Sequence, residues 1–257
     1  MKYSVCIDAV FMNKGSFTDA MKKVKDVGYE AIEFWSWWDK DIDAIERRQQ
    51  ELGLEVAAFC TKFVNSGDIS QRQEYLEGLM ESIEVAKRLH CTTLIAQAGW
   101  EYDSFCKEIT RKKHRENFIN TMKSAALIME KEDMTLVIEP LNILVNHPGY
   151  HLSTSEDGFD VIDRIGSGNV KILFDVYHQQ ITEGNLLMNI TENIGKIGHF
   201  HVAGNPGRNE ITKGEIHYRN IFKALNELQY NAYIGLEYMT KNDPVLGLME
   251  AKEKVFI

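Results

Sequence analysis

Short apolar runs alternate along this chain with longer segments in which charged residues share the space with an apolar stripe. The runs are "YSVCIDA" (3–9), "AIEFW" (31–35), "EVAAFC" (55–60), "TTLIAQAG" (92–99), "TLVIEPLN" (135–142), "VKILFDVYH" (170–178), "IGHFHVAG" (197–204) and "YIGLEYM" (233–239), eight strand candidates in all. Between them lie segments such as "FTDAMKKVKDVG", "DIDAIERRQQELG", "RQEYLEGLMESIEVAKRLH" and "YRNIFKALNELQY". In the last of these, Ile221, Leu225 and Leu228 recur at helical spacing with charges opposite. Gly28 and Gly53 end two helices, because glycine adopts the left-handed terminal conformation without strain. "STSEDGF" (153–159) offers Ser/Thr caps for another helix start.

Eight strand–helix units over this length predict a (β/α)8 TIM barrel, with a doubly wound open sheet as the alternative. No linker or low-complexity segment interrupts the pattern, so residues 1–257 read as a single domain. A barrel of this kind carries its chemistry at the C-terminal ends of its strands.

Composition narrows the function. A chain of 257 residues with 44% hydrophobic positions can bury a full core. Its formal net charge of −9 argues against nucleic acid as a partner, since phosphate backbones reward basic patches. Cys6, Cys60, Cys91 and Cys106 lie far apart and read as reduced, packed thiols. There is no apolar signal region and no run of about 18 apolar residues. The expectation is therefore a cytoplasmic protein that does not engage a membrane.

Polar residues gather where the barrel reading needs them. Strand five ends in "VIEP" with Glu139, and strand six in "LFDVYH" with Asp175 and His178. Strand seven carries His199 and His201, and strand eight ends in "GLEY" with Glu237. A carboxylate following an apolar run is costly to bury alone. Adjacent strand ends converge, so Glu139, Asp175, His201 and Glu237 can point at one spot, and three carboxylates need a cation to coexist there. Oxygen and imidazole donors without thiolate suit Mn2+ first, with Mg2+, Co2+ or Zn2+ as alternatives. Alternation puts His199 and His201 on one face with His201 nearer the mouth, so His201 is the ligand and His199 a deeper packing or supporting residue. His178, three residues past Asp175, is placed in the loop, within reach of a substrate oxygen.

These motifs, "VIEPLN…HPGY", "LFDVYH", "HFHVAGNPGRNE…GEIHY" and "GLEY", resemble the xylose-isomerase-like TIM barrels. The similarity is greatest to the hydroxypyruvate isomerases and related small-sugar isomerases, and it extends to the ketose 3-epimerases. The resemblance spans nearly the whole chain. It implies one divalent metal on Glu139, Asp175, His201 and Glu237, and substrate contacts from His178 and Arg208. It further implies proton transfer between Glu139 and Glu237 through an ene-diolate of a small sugar or hydroxy-keto acid, and a homo-oligomer of unfixed size. Many relatives place an arginine shortly after the first glutamate, whereas this chain reads Glu139-Pro-Leu-Asn142, which leaves the substrate open. An epimerase of the same fold, an apurinic-endonuclease-like phosphodiesterase and a non-catalytic sugar-binding barrel are the competing readings. Trp35, Trp37 and Trp38 in "EFWSWWDKD" (33–41) read either as loop packing or a dimer contact, or as an apolar wall at the mouth. Glu33 shares that ambiguity. The basic segment 102–118, after strand four, reads as a solvated helix start, with a lid as the alternative.

Overall fold

The computed structural model describes residues 1–100 and 110–256. Eight parallel strands follow in chain order: β1 (Lys2–Cys6), β2 (Ala31–Phe34), β3 (Glu55–Cys60), β4 (Thr93–Ala96), β5 (Thr135–Ile138), β6 (Val170–Asp175), β7 (Ile197–Val202) and β8 (Tyr233–Leu236). Each pairs with the next, and β8 pairs with β1, closing the barrel. The open-sheet alternative is thereby removed. All eight sequence-read strands are present, but most stop earlier at their C-terminal ends than the apolar run suggested.

The helices are α1 (Ile7–Val10), α2 (Phe17–Asp26), α3 (Ile42–Leu52), α4 (Arg72–Arg88), α5 (Arg111–Lys131), α6 (Ser155–Ile165), α7 (Val176–Thr182), α8 (Leu186–Asn193), α9 (Tyr218–Glu227) and α10 (Pro244–Lys254). Their ends follow the local chemistry. The Thr154 hydroxyl accepts from the Asp157 amide at 3.1 Å and starts α6, as "STSEDGF" suggested. Gly53 closes α3 in the left-handed conformation, and Gly28 follows α2 at a φ of 86°. The segment 102–118 is described only from residue 110, where α5 begins with Arg111, Lys112 and Lys113 exposed in its first turn. Cys6, Cys60 and Cys91 are buried and unbridged, and Cys106 lies outside the described residues. Among those residues no helix is long and apolar enough to cross a membrane.

Among the described residues two separate apolar clusters hold the fold. The larger joins the outer faces of the strands to the helices. The smaller comprises Ala58, Cys60, Ile95, Val137 and Leu173. Alternation along the strands places Val137 on the face of Glu139, and Leu173 on the face of Asp175, so this second cluster fills the barrel interior beneath the mouth.

Candidate metal centre

Each sequence-read donor is rooted at a strand end by backbone contacts. Glu139 follows β5, and its amide donates to the Ala96 carbonyl at 3.2 Å. The Tyr150 hydroxyl donates to the Glu139 carbonyl at 3.2 Å and accepts from the Ala98 amide, pinning the ends of β4 and β5 together. Asp175 ends β6, level with His201 of β7. Its Oδ1 accepts from the Tyr177 and His178 amides at 2.7 and 3.0 Å, which caps α7. The sequence reading placed His178 in a loop. The structure corrects this, because the Asp175 cap turns the chain into α7 at once and buries His178 within it. Glu237 follows β8 and is tied to β7 by its amide, 3.1 Å from the Val202 carbonyl.

Glu139, Asp175, His201 and Glu237 each offer one donor atom, all within 4.8 Å of one another. Their residues are at most 5% exposed. His201 Nδ1 lies 3.2 Å from Glu237 Oε2 and 3.7 Å from Glu139 Oε1. Glu139 Oε1, Asp175 Oδ2 and His201 Nδ1 are buried without a hydrogen-bond partner. Buried polar atoms are rarely left this way, and three converging on one point call for a ligand. Burial, together with the carboxylates of Glu237 and Asp175, pushes Glu139 up to about 7 in spite of the imidazole beside it. Burial also opposes the charge of Glu237, but Arg208 and His201 outweigh it and hold that carboxyl well below the usual range. Burial opposes charge on His201 as well, and Glu237, Glu139 and Glu33 overcome it, raising the imidazole well above its ordinary value. A proton on Glu139 is one relief for this crowd of carboxylates, and a divalent cation is the other. The donor set of three carboxylates and one imidazole fits such an ion.

Around these four stand Arg208, His178 and Asn142. The Arg208 guanidinium pairs with Glu237 Oε2 and sits 5.6 Å above the Tyr177 ring. The "NPGRNE" loop aims it there, with the Arg208 carbonyl accepting from the Met239 amide just past β8. His178 Nδ1 accepts from the Asn142 amide at 3.1 Å, so the ring proton is on Nε2, 3.7 Å from Asp175 Oδ2 and without a partner. Burial lowers His178 to about 4, which keeps this ring neutral. Asn142 is fully buried. Its Oδ1 accepts from the Val145 and Asn146 amides and shapes the loop after β5.

Residues 21–255 match the xylose isomerase-like TIM barrel family. The chain belongs to that family. It is 35% identical to the 2-oxo-tetronate isomerase of Cupriavidus necator, covering 93% of this chain and 94% of that one. It is 27% identical to the hydroxypyruvate isomerase of Escherichia coli K12, over 96% of this chain and 97% of the relative. Among solved structures, an AP endonuclease of family 2 from Brucella melitensis superposes with a TM-score of 0.92 at 25% identity, covering 99% of both chains.

Three further residues of this xylose isomerase-like barrel stand beside the cluster: Trp35 and Glu33, which the sequence left between packing and a part at the mouth, and His147, which it did not single out. Trp35 donates its indole N–H to Glu237 Oε1, while Trp37 turns away and donates to Ser82 at 3.0 Å. His147, in "HPGY", is half-buried with its ring 5.3 Å from that of His178. Glu33, in the middle of β2, reaches across the interior to His199 and His201 at 3.1 and 2.9 Å. Its one sequence signal was a lone carboxylate inside "AIEFW".

Proposed function

We propose that this chain is a divalent-metal-dependent isomerase of small sugars or hydroxy-keto acids that moves a proton between adjacent carbons through an ene-diolate. The observation that carries the reading is the convergence of three unpartnered buried donors, from Glu139, Asp175 and His201, beside Glu237. The names of the Cupriavidus and Escherichia relatives, a 2-oxo-tetronate isomerase and a hydroxypyruvate isomerase, support the substrate class. Mn2+ is the favoured ion, and when bound it would polarise a carbonyl and its neighbouring hydroxyl, easing loss of the C–H proton.

The chain's own groups divide the remaining work. Glu139, at the end of β5 and on the edge of the cluster, takes the proton from carbon. Glu237, kept ionised by Arg208 and steadied by Trp35, lies across the cluster as the second proton carrier. Arg208 orients a substrate carboxylate or hydroxyl, and the His178 Nε2–H is a neutral donor toward a substrate oxygen. The indole of Trp35 excludes water on the β2 side.

The test is solvent-deuterium incorporation into a panel of three- to six-carbon keto acids and ketoses with Mn2+, read by NMR. Label on the adjacent carbon of a rearranged product supports isomerisation. Label on the original carbon with inverted configuration identifies a 3-epimerase instead. The high TM-score to the Brucella protein keeps phosphodiester cleavage as a second reading. Nicking of abasic-site DNA without exchange into any keto substrate would establish it.

A further inference from the structure

Glu33 does not face the four-donor cluster, yet its carboxylate is only 1% exposed and is met on every side. Its Oε2 lies 2.9 Å from His201 Nε2, and its Oε1 lies 3.1 Å from His199 Nε2. The Ser4 hydroxyl donates to Oε1 as well. A carboxylate buried in a barrel is tolerated only when its lone pairs are matched. Here the partners come from β1 and β7 while the acid comes from β2. β8 contributes the space. A Cβ at Gly235 would lie 2.5 and 2.8 Å from the two Glu33 oxygens and 2.8 Å from His201 Cδ2, so only glycine leaves room for the pair.

An imidazole can present either nitrogen to a cation, and the partner of the other nitrogen decides which. We propose that Glu33 is a positioning residue of the metal centre: by accepting from His201 Nε2–H it fixes the ring so that Nδ1 is the ligand atom, and Ser4, His199 and Gly235 hold Glu33 in place for that task. The inference rests on the metal reading above and deepens it. A carboxylate behind a ligating histidine both orients the ring and makes its free nitrogen a better donor. The separations among Glu33, His199 and His201 are those of hydrogen bonds, and Ser4 meets a further lone pair. The group is therefore a closed support and not a second ion site.

Calorimetric titration of the chelator-treated protein with Mn2+ tests this. The wild type should bind one ion, and Glu33→Gln should weaken binding by roughly 10–100-fold. Gly235→Ala, which pushes on the same carboxylate, should weaken it too. In a His201→Gln background Glu33→Gln should change nothing further, because its effect runs through the imidazole. Wild-type affinity in Glu33→Gln, or an equal loss in the His201→Gln background, would overturn the proposal, as would two ions per chain. A wild type that binds no Mn2+ overturns the metal reading itself and this inference with it. Proton NMR of the Co2+-loaded wild type is independent of whether any Glu33 variant folds. It should show a slowly exchanging, hyperfine-shifted imidazole N–H, assigned to His201 as the Nε2 proton. Coordination through Nε2 would refute the assignment.

Discussion

The two halves of the barrel interior are built on opposite principles. From β3 to β6 it is filled by Ala58, Cys60, Ile95, Val137 and Leu173, which form one buried apolar cluster. On β1, β2, β7 and β8 it is filled by Ser4, Glu33, His199, His201 and the gap at Gly235, a polar set whose members find partners inside the barrel. Glu139 and Asp175 rise from the apolar half, and His201 and Glu237 from the polar half. On the apolar side the strands are placed by packing, which is non-directional. On the polar side a ring is placed by hydrogen bonds, which have direction. Asp175 is set by amides of its own turn, whereas the His201 ring is turned by a carboxylate from another strand, which Ser4 and His199 hold in place.

The largest break in this comparison comes at the mouth, where both halves meet. Glu139→Gln keeps the shape of the side chain but removes the proton acceptor. Deuterium incorporation into substrate should fall by roughly 10²–10⁴-fold, the usual scale for losing a general base. The circular dichroism spectrum should stay as in the wild type. Undiminished exchange in a folded variant would remove Glu139 from the chemistry.

Leu173→Ala breaks the apolar half. It opens a void beside Val137 and should cost about 2–5 kcal/mol in urea unfolding. Mn2+ affinity should move by less than about twofold once the protein is folded, because no donor is oriented by Leu173. A loss of affinity as large as its loss of stability would mean the two halves are mechanically one.

Much of this division was legible beforehand, and for particular reasons. The eight strands declared themselves because each is buried, and Glu139, Asp175 and Glu237 because an acid directly after "LVI", "ILF" or "IGL" demands a partner. His201 was separable from His199 because alternation gives depth. The support behind His201 was not legible. Glu33 and His199 are 166 positions apart and meet only when the barrel closes. His178 was misplaced because an apolar run cannot show where Asp175 stops being strand and becomes a cap. The role of "NPGRNE" came from resemblance, since nothing local says that its arginine turns back onto Glu237.

Acidity sharpens the comparison at the next level. In the folded protein Glu139 sits at about 7, against an ordinary value of 4.5. The folded state therefore binds more protons than the unfolded chain between those values, and this group's contribution to stability falls as the pH rises from about 4.5 through 7. Glu237 is shifted the other way. Its contribution is present above the ordinary value and is lost only as the pH falls below it. Thermal melts of chelator-treated wild type and Glu139→Gln from pH 5 to 8 should diverge, with the wild type losing ground to the variant toward pH 8. Added Mn2+ should restore the wild type most at the alkaline end, where the carboxylate is free of its proton. Parallel curves would show that Glu139 is not the strained member of the cluster.

The smallest effect should come from the tryptophans, which carry the polar half outward. Trp35 touches Glu237, but Trp38 is 39% exposed and packs edge-on against Trp37 and Phe63, at 5.8 and 5.1 Å between ring centres. Such contacts are worth about 1 kcal/mol. Trp38→Ala should therefore lower the unfolding free energy by about that amount and leave the deuterium-exchange rate unchanged. Trp35→Phe, which keeps an aromatic ring but deletes the indole N–H held by Glu237, should slow exchange. If Trp38→Ala slowed exchange as much as Trp35→Phe, the wall of the site would extend along the whole "WSWW" segment, and orientation in the polar half would depend on packing after all.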